Sequence, residues 1–513
     1  MPSEIAMDLS STFSPLQLVL LLPLLTLICL LYLRRDPKKQ PRAHGLKSYP
    51  IVGTLPHFVK NQHRFLEWSA EVLKRSPTHT ISFKFPGLVG GAITANPANV
   101  EYILKTIFGN YPKGELAVSM IEDFLGHGIF NSDGEQWLWQ RKAASYEFSK
   151  RSLRNFVVDA VRFEVVERLL PLLERAARDG RTLDVQDVLE RFAFDNICRV
   201  AFGEDPACLD VDDEGMSASQ SAEFMQRHRG RFHSPVKSLW RLKRLLNMEP
   251  ERRLREALGT IHGYADRIVR ERRERGTAGL ACRDDFLSRF AASGEHSDAS
   301  LRDVVTNFLL AGRDTTSSAL TWFFWLVSTR PDVEDMILRE IREVRASSSL
   351  QGPTRTTFSF DELRDMHYLH AAIMESMRLY PPLAMDSQCC EQDDVLPDGT
   401  FVGKGWPMMY SAYAMARLAD VWGEDCEEFK PERWFGDDGA FRPESPFKYT
   451  VFHAGPRMCL GKEMAYIQMK SIAACAFETF SFQFVGREDH PGLVLSFTLR
   501  MKGGLPMQVN KRS

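Results

Sequence analysis

Phe452-His453-Ala454-Gly455-Pro456-Arg457-Met458-Cys459-Leu460-Gly461 is the stretch on which the reading of this chain turns. Gly455 and Pro456 enforce a tight turn. Cys459 stands just before Lys462 to Phe477, whose pattern predicts a helix. A thiolate at a helix N-terminus is stabilised by free backbone N–H groups and by the helix dipole. Gly461 lets the backbone approach a flat ligand closely, and Arg457 sets a fixed charge beside it. A single cysteine ahead of a helix is ordinarily a buried structural residue. The spacing F-x-x-G-x-R-x-C-x-G sets this one apart.

Working outward, four further segments carry chemistry-bearing residues. Ala311-Gly312-Arg313-Asp314-Thr315-Thr316 interrupts a long apolar helix predicted over Leu301 to Ser328, with Ser300 and Asp303 as its N-terminal capping pair. Gly and Thr are weak helix formers, so the insertion is costly there. An exposed polar patch is the bland reading. However, Phe308, Ala311 and Thr315 share a face, small and apolar except for one hydroxyl. Glu375-Ser376-Met377-Arg378 pairs a carboxylate and a guanidinium at i, i+3 on a helix that ends at Tyr380-Pro381-Pro382, and Pro431-Glu432-Arg433-Trp434 follows. Trp137 and Arg141 lie one helical turn apart and face the same way.

These motifs together resemble the cytochrome P450 superfamily, over the whole chain and in the family's order. The resemblance implies a mainly α fold with small β sheets behind a single N-terminal transmembrane helix. It implies haem b, with Cys459 as axial iron ligand, whose electron donation favours O–O cleavage. Trp137, Arg141 and Arg457 then bind haem propionates, and Ala311, Phe452, Gly455 and Gly461 line the cofactor. Asp314 and Thr315 become the acid–alcohol pair that delivers protons during oxygen activation, Thr315 as hydrogen-bond donor and Asp314 as relay. Glu375, Arg378 and Arg433 become a buried charged network with a structural role, since buried charges persist only when paired.

The N-terminus sets location. Leu16 to Leu33 carries no charge across 18 residues, about 27 Å as a helix. Glu4 and Asp8 precede it, no A-x-A site follows, and Arg34, Arg35, Lys38 and Lys39 come directly after. Those features predict an uncleaved anchor with the large domain in the cytosol. The expected organisation is an anchor over residues 1–33, a basic, Pro-rich hinge over 34–50 and one catalytic domain over 51–513, held single-pass in the endoplasmic reticulum membrane. Within that domain, helices are predicted over His63–Arg75, Asn99–Phe108, Glu135–Phe148, Ser152–Ala177 and Val185–Ala201. A hairpin is predicted over Thr80–Thr94, turning at Pro86-Gly87, and short strands near Met385–Cys390, Phe401–Tyr410 and Leu493–Met507. The Arg-rich stretch Gln226–Arg275 reads as two solvated helices, or as a loop dipping Phe232 and Trp240 into the membrane. His367 and His370 read as helix-surface residues.

Composition excludes several classes. Lys and Arg total 65 against 67 Asp and Glu, a net charge of −2, which argues against a nucleic-acid partner. Nine cysteines without a CxxC pair fit a reducing compartment rather than a disulfide scaffold. No dinucleotide or P-loop motif is found, so electrons must come from a partner; the resemblance implies an NADPH-dependent flavoprotein reductase, for which Arg141, Lys142, Lys448 and Lys462 offer a basic docking face.

Within the superfamily, Phe194-Asp195-Asn196-Ile197-Cys198, Ala201-Phe202-Gly203-Glu204-Asp205-Pro206, Asn110 to Gly114 and Gly128 to Gly134 are closest to plant fatty-acid ω-hydroxylases. The resemblance implies a lipophilic small-molecule substrate and insertion of one oxygen atom from O2 into an aliphatic C–H bond, at the terminal carbon of a fatty acid. A sterol side chain or a jasmonate conjugate also presents an aliphatic end. By analogy with the family, Phe124, Phe308, Leu383 and Phe497 wall the substrate pocket. A non-oxygenating haem-thiolate isomerase or dehydratase does not need Asp314 and Thr315, and a haem-binding membrane protein without turnover would oxidise nothing.

Overall fold

Apolar residues recurring every three to four positions fold as helices around one core, described in a computed structural model over residues 46–85, 90–148, 157–210, 239–249, 251–277, 286–292, 297–348, 356–486 and 490–512. In chain order come α1 (Phe65–Arg75), β1 (Thr80–Lys84), β2 (Gly90–Thr94), α2 (Glu115–Leu125), α3 (Gly134–Glu147), β3 (Thr182–Asp184), α4 (Val185–Phe202) and α5 (Glu251–Thr277). The central helix α6 runs as Asp298–Leu309, a π turn over Leu310–Asp314, and Thr315–Ser328. After it come α7 (His367–Leu379), β4 (Met385–Cys389), β5 (Pro407–Ser411), α8 (Lys462–Thr479), β6 (Phe480–Phe484), β7 (Leu493–Leu495), β8 (Leu499–Met501) and β9 (Pro506–Lys511). The chain is mainly helical with small sheets.

β1 and β2 pair antiparallel with Ile81 opposite Ile93, and the sheet continues in the order β1-β2-β5-β4. Only the β2–β5 pairing is parallel there, with Ile93 opposite Met409. The expected turn at Pro86-Gly87 lies outside the described residues, as do the Leu16–Leu33 run and Phe232. Among the described residues no helix is long and apolar enough to cross a membrane. Trp240 is buried, so it faces protein rather than bilayer.

Every residue from Thr316 to Val327 on α6 is buried, as is most of α7 and α8. A helix apolar on all sides belongs at the centre of a large domain. Trp322 illustrates the packing: its indole stacks on Tyr380 at 4.2 Å and donates Nε1–H to the Leu499 carbonyl at 3.0 Å. That bond satisfies the one polar atom of a buried indole. The helix is capped by Ser297, whose hydroxyl accepts from Ser300 N, not by the Ser300–Asp303 pair. Asp303 has a tertiary task instead, accepting from His127 N at 3.1 Å. His370 also departs from expectation. Its ring lies 4.2 Å from Tyr466 and 5.2 Å from Phe441, so it is enclosed, and burial pushes its pKa down to about 3.

A buried carboxylate ties α7 to the irregular segment that leads to the cysteine loop. Glu375 has no solvent exposure, and Arg378 is 2% exposed. Arg378 donates Nε and Nη2 to the two Glu375 oxygens, each at 2.9 Å. Arg433 Nε donates at 3.2 Å, Trp434 Nε1 at 3.1 Å and the Lys430 backbone N–H at 3.2 Å. The arginines then reach onward to carbonyls, Arg378 to Ala416 and Cys426, Arg433 to Trp422. One carboxylate thus fixes residues 416 to 434 against the helix.

Removing one partner of a buried pair leaves the other charge uncompensated, which costs about 3–5 kcal/mol. Arg378→Met should therefore lower the stability of the folded chain by about that amount. Denaturant unfolding checks this; a loss under about 1 kcal/mol would contradict the network's role.

Candidate active site

The cysteine loop is shaped by backbone before side chains. His453 sits at φ 59° and Gly455 at φ 66°. A Cβ at Gly455 would collide with the Leu104 carbonyl, so the close approach of that segment requires glycine. The Cys459 N–H donates to the Phe452 carbonyl at 2.8 Å, closing the loop on itself. Helix α8 starts three residues later. Cys459 keeps accessible surface, unlike Cys198, Cys208, Cys390, Cys426 and Cys475, which are buried. Burial pushes the thiol up, opposed by the Gly461 N–H and the Arg141 and Lys462 charges.

Helix α3 brings Trp137 and Arg141 to this loop. Arg141 donates to the Met458 carbonyl. Arg457 lies over the Trp137 ring at 4.5 Å and donates to the Ser132 carbonyl at 2.9 Å and to Asp133 at 2.6 Å. The structure therefore gathers Trp137, Arg141, Phe452, Gly455, Arg457, Cys459 and Gly461 in one place. It adds a cluster that the motifs did not single out. Lys113 reaches Asp386 at 2.8 Å, and His453 Nε2 reaches the same carboxylate at 3.1 Å. Burial alone would raise the Asp386 carboxyl, but Lys113 and His453 outweigh it and hold it well below the usual carboxylate range. His453 stands inside the quoted loop, so its position was the available signal.

The acid–alcohol pair lies where the π turn of α6 ends: Asp314 is its last residue and Thr315 opens the next α segment. Gly312 meets α4 so closely that a Cβ would strike Ile197. Arg313 and Asp314 are buried, at 3% and 7% exposure, so this is no exposed polar patch. Burial raises the Asp314 carboxyl, and the Arg313 and Arg500 charges pull against it. The Thr315 hydroxyl donates to the Ala311 carbonyl at 2.7 Å. Its proton is thus engaged within the helix, and its lone pairs remain as acceptors; the donor role expected from sequence requires the hydroxyl to rotate.

The four expected pocket residues divide. Phe124 and Phe497 approach at 6.4 Å between ring centroids and share a small apolar cluster with Leu310, Leu254 and Leu258. Phe308 lies in a different stack, 4.0 Å from Phe286 and 6.3 Å from Phe148. Leu383 is 46% exposed, just after Pro382, whose carbonyl accepts from Leu499 N at 2.9 Å. On the expected docking face Lys142 is exposed, whereas Lys448 is held by Glu444 at 2.6 Å.

These residues fit a haem. The loop offers a soft sulfur ligand for iron, and Arg141 and Arg457 offer cations for two propionates. Gly461 lies beside the Cys459 sulfur, which is 3.8 Å from where a Cβ would stand.

Comparison with known proteins agrees. The family description "Cytochrome P450" matches residues 44–503. Cytochrome P450 CYP94D108 of Paris polyphylla is 46% identical over 94% of each chain. Cytochrome P450 94B1 of Arabidopsis thaliana is 44% identical and cytochrome P450 94A2 of Vicia sativa 43%, each over 91% of both chains. The chain belongs to the cytochrome P450 family and is a haem-dependent monooxygenase.

Proposed function

We propose that the chain hydroxylates the terminal carbon of a fatty acid. A terminal methyl, O2, NADPH and a proton give a primary alcohol, water and NADP+. The two electrons arrive from NADPH through a separate flavoprotein reductase. Haem supplies the iron at which O2 is activated. Cys459 is the residue that binds it, with Trp137, Arg141 and Arg457 at its propionates and Ala311, Phe452, Gly455 and Gly461 along its faces. Asp314 carries protons inward, and Thr315 holds them by hydrogen bonding. The assignment of one acid and one alcohol rests on their adjacency where the π turn passes into the second half of α6 and on the burial that raises the Asp314 carboxyl.

The observation that carries the terminal preference is the Phe124–Phe497–Leu310 cluster at the start of that turn. A terminal methyl C–H bond is stronger than an interior methylene C–H bond, so reactivity alone favours interior attack. Differences of one methylene are worth only about 1–3 kcal/mol in a pocket. Stiff aromatic walls are what such a site needs to hold a chain end-on, and two phenylalanines brace each other there. Leu383 is the further wall on the opposite connection, and Phe308 supports the helix from its own stack.

Fatty acids incubated with the full chain, reductase and NADPH should yield ω-alcohols, by mass spectrometry. Phe124→Ala and Phe497→Ala should move product toward ω-1 and further inward while haem content stays constant. Unchanged terminal selectivity in both variants would overturn the wall, and mid-chain products from the native enzyme would overturn the function.

Thr315→Ala should leave the haem spectrum intact and divert NADPH electrons into hydrogen peroxide. An unchanged ratio of product to NADPH would refute its role.

The proposal includes residues 1–33 as an uncleaved endoplasmic-reticulum anchor and 34–50 as its hinge, on the strength of the uncharged run and the Arg34-Arg35 flank. Protease added to sealed microsomes should then digest residues 51–513. Full protection of that domain would reverse the topology.

A further inference from the structure

Behind the Asp314 carboxyl lies a second buried acid that the chemistry described so far leaves unused. Glu190, on α4, is 4% exposed. Its Oε2 meets Arg313 Nη2 at 3.2 Å, and its Oε1 meets Arg500 Nη2 from β8. Arg313 also faces Asp314, Nη1 to Oδ1, at 3.5 Å. Two guanidiniums and two carboxyls from three distant parts of the chain therefore form one buried row, Arg500–Glu190–Arg313–Asp314. If all four are ionised, the row is neutral.

The distances are unequal in an informative way. A strong charge-assisted hydrogen bond falls near 2.7–2.9 Å. Glu190 engages both arginines, one on each oxygen, whereas the Asp314 contact is the longest of the row. An arginine buried beside two carboxylates goes to whichever holds it better, and here Glu190 does. Asp314 is left with charge nearby and no tight clamp. For a group that must take up and release protons this matters, because an acid locked in a tight ion pair stays ionised. Asp187 also acts on Glu190, but it is itself paired with Arg191 at 2.8 Å.

We propose that Glu190 is a positioning residue for proton delivery: by occupying Arg313 and Arg500 it keeps the Asp314 carboxyl free to cycle its proton. The inference rests on the reading of Asp314 as the relay. Glu190 touches neither substrate nor cofactor and acts through the two arginines. A merely structural reading of the same contacts is that they cross-link α4, α6 and the C-terminal hairpin.

Glu190→Gln separates the two readings. It keeps the side-chain volume and one acceptor oxygen but removes the negative charge, so Arg313 turns to Asp314. In the reductase-coupled, haem-loaded enzyme, product formed per NADPH should fall several-fold, hydrogen peroxide should rise correspondingly, and the solvent deuterium isotope effect on turnover should grow. The infrared band of the protonated Asp314 carboxyl, assigned by its loss in Asp314→Asn, should weaken. The double variant Glu190→Gln/Arg313→Gln removes one charge of each sign, including the guanidinium that would clamp Asp314, and should recover coupling and band, which a lost cross-link would not allow. Normal coupling in Glu190→Gln overturns the inference, as does a double variant as uncoupled as the single one. Should Glu190→Gln lose its haem, the charge-balanced double variant decides by itself. Asp314→Asn tells which reading fails: normal coupling there sinks the relay, whereas uncoupling there beside normal coupling in Glu190→Gln sinks only the role of Glu190.

Discussion

A carboxylate with no access to water must find a donor for each lone pair, and the architecture around Glu375 follows from that need. Its partners are Arg378 one turn away, Arg433 and Trp434 from a short 3-10 turn, and the Lys430 backbone. None of these can be lost cheaply, because any gap strands a buried charge. The network therefore sets where residues 416 to 434 lie. Tyr449, whose hydroxyl donates to the Met374 carbonyl at 3.2 Å, carries the same positional constraint toward the cysteine loop. A charge cluster on α7 thereby constrains the segment that leads into the cysteine loop.

Helix α6 shows a different economy. Its C-terminal half is packed on all sides, while the π turn just before it gives up ordinary helical hydrogen bonding. That local irregularity places consecutive polar residues, Arg313 and Asp314, among buried surroundings and lets Gly312 sit against Ile197. The costs of burying charge are then offset by partners on α4 and β8 rather than by water.

Much of the fold was readable where signals are local. The ExxR pair, the Pro-led turn before Trp434 and the Gly-Pro turn before Cys459 announce themselves within a few residues. The helices from Phe65 and Val185 follow from apolar spacing, and Thr80 to Thr94 from alternation around a turn. What escaped was set by contacts across long sequence separations. Ser300 and Asp303 have the look of a cap, but Asp303 is claimed by His127, and Ser297 takes the cap instead. His370 carries no mark of burial until Phe441 and Tyr466 close over it. Lys113 and Asp386 are 273 positions apart, and no spacing rule pairs them. The stack of Phe308 with Phe148 and Phe286 joins rings from three separate stretches that no spacing rule links.

The C-terminal residues stitch the molecule shut. β9 pairs with β3, placing Met507 beside Leu183, and Arg500 reaches Glu190 across more than half of the chain. Synthesis runs from the N-terminus, so α4 and α6 leave the ribosome long before β8 does. Until then Glu190 has Arg313 as its only guanidinium from this row, and the indole of Trp322 lacks the Leu499 carbonyl. The buried row thus gains its second guanidinium only when β8 has been made. Closure of this buried row therefore waits on β8, whatever order the helices before it take in folding.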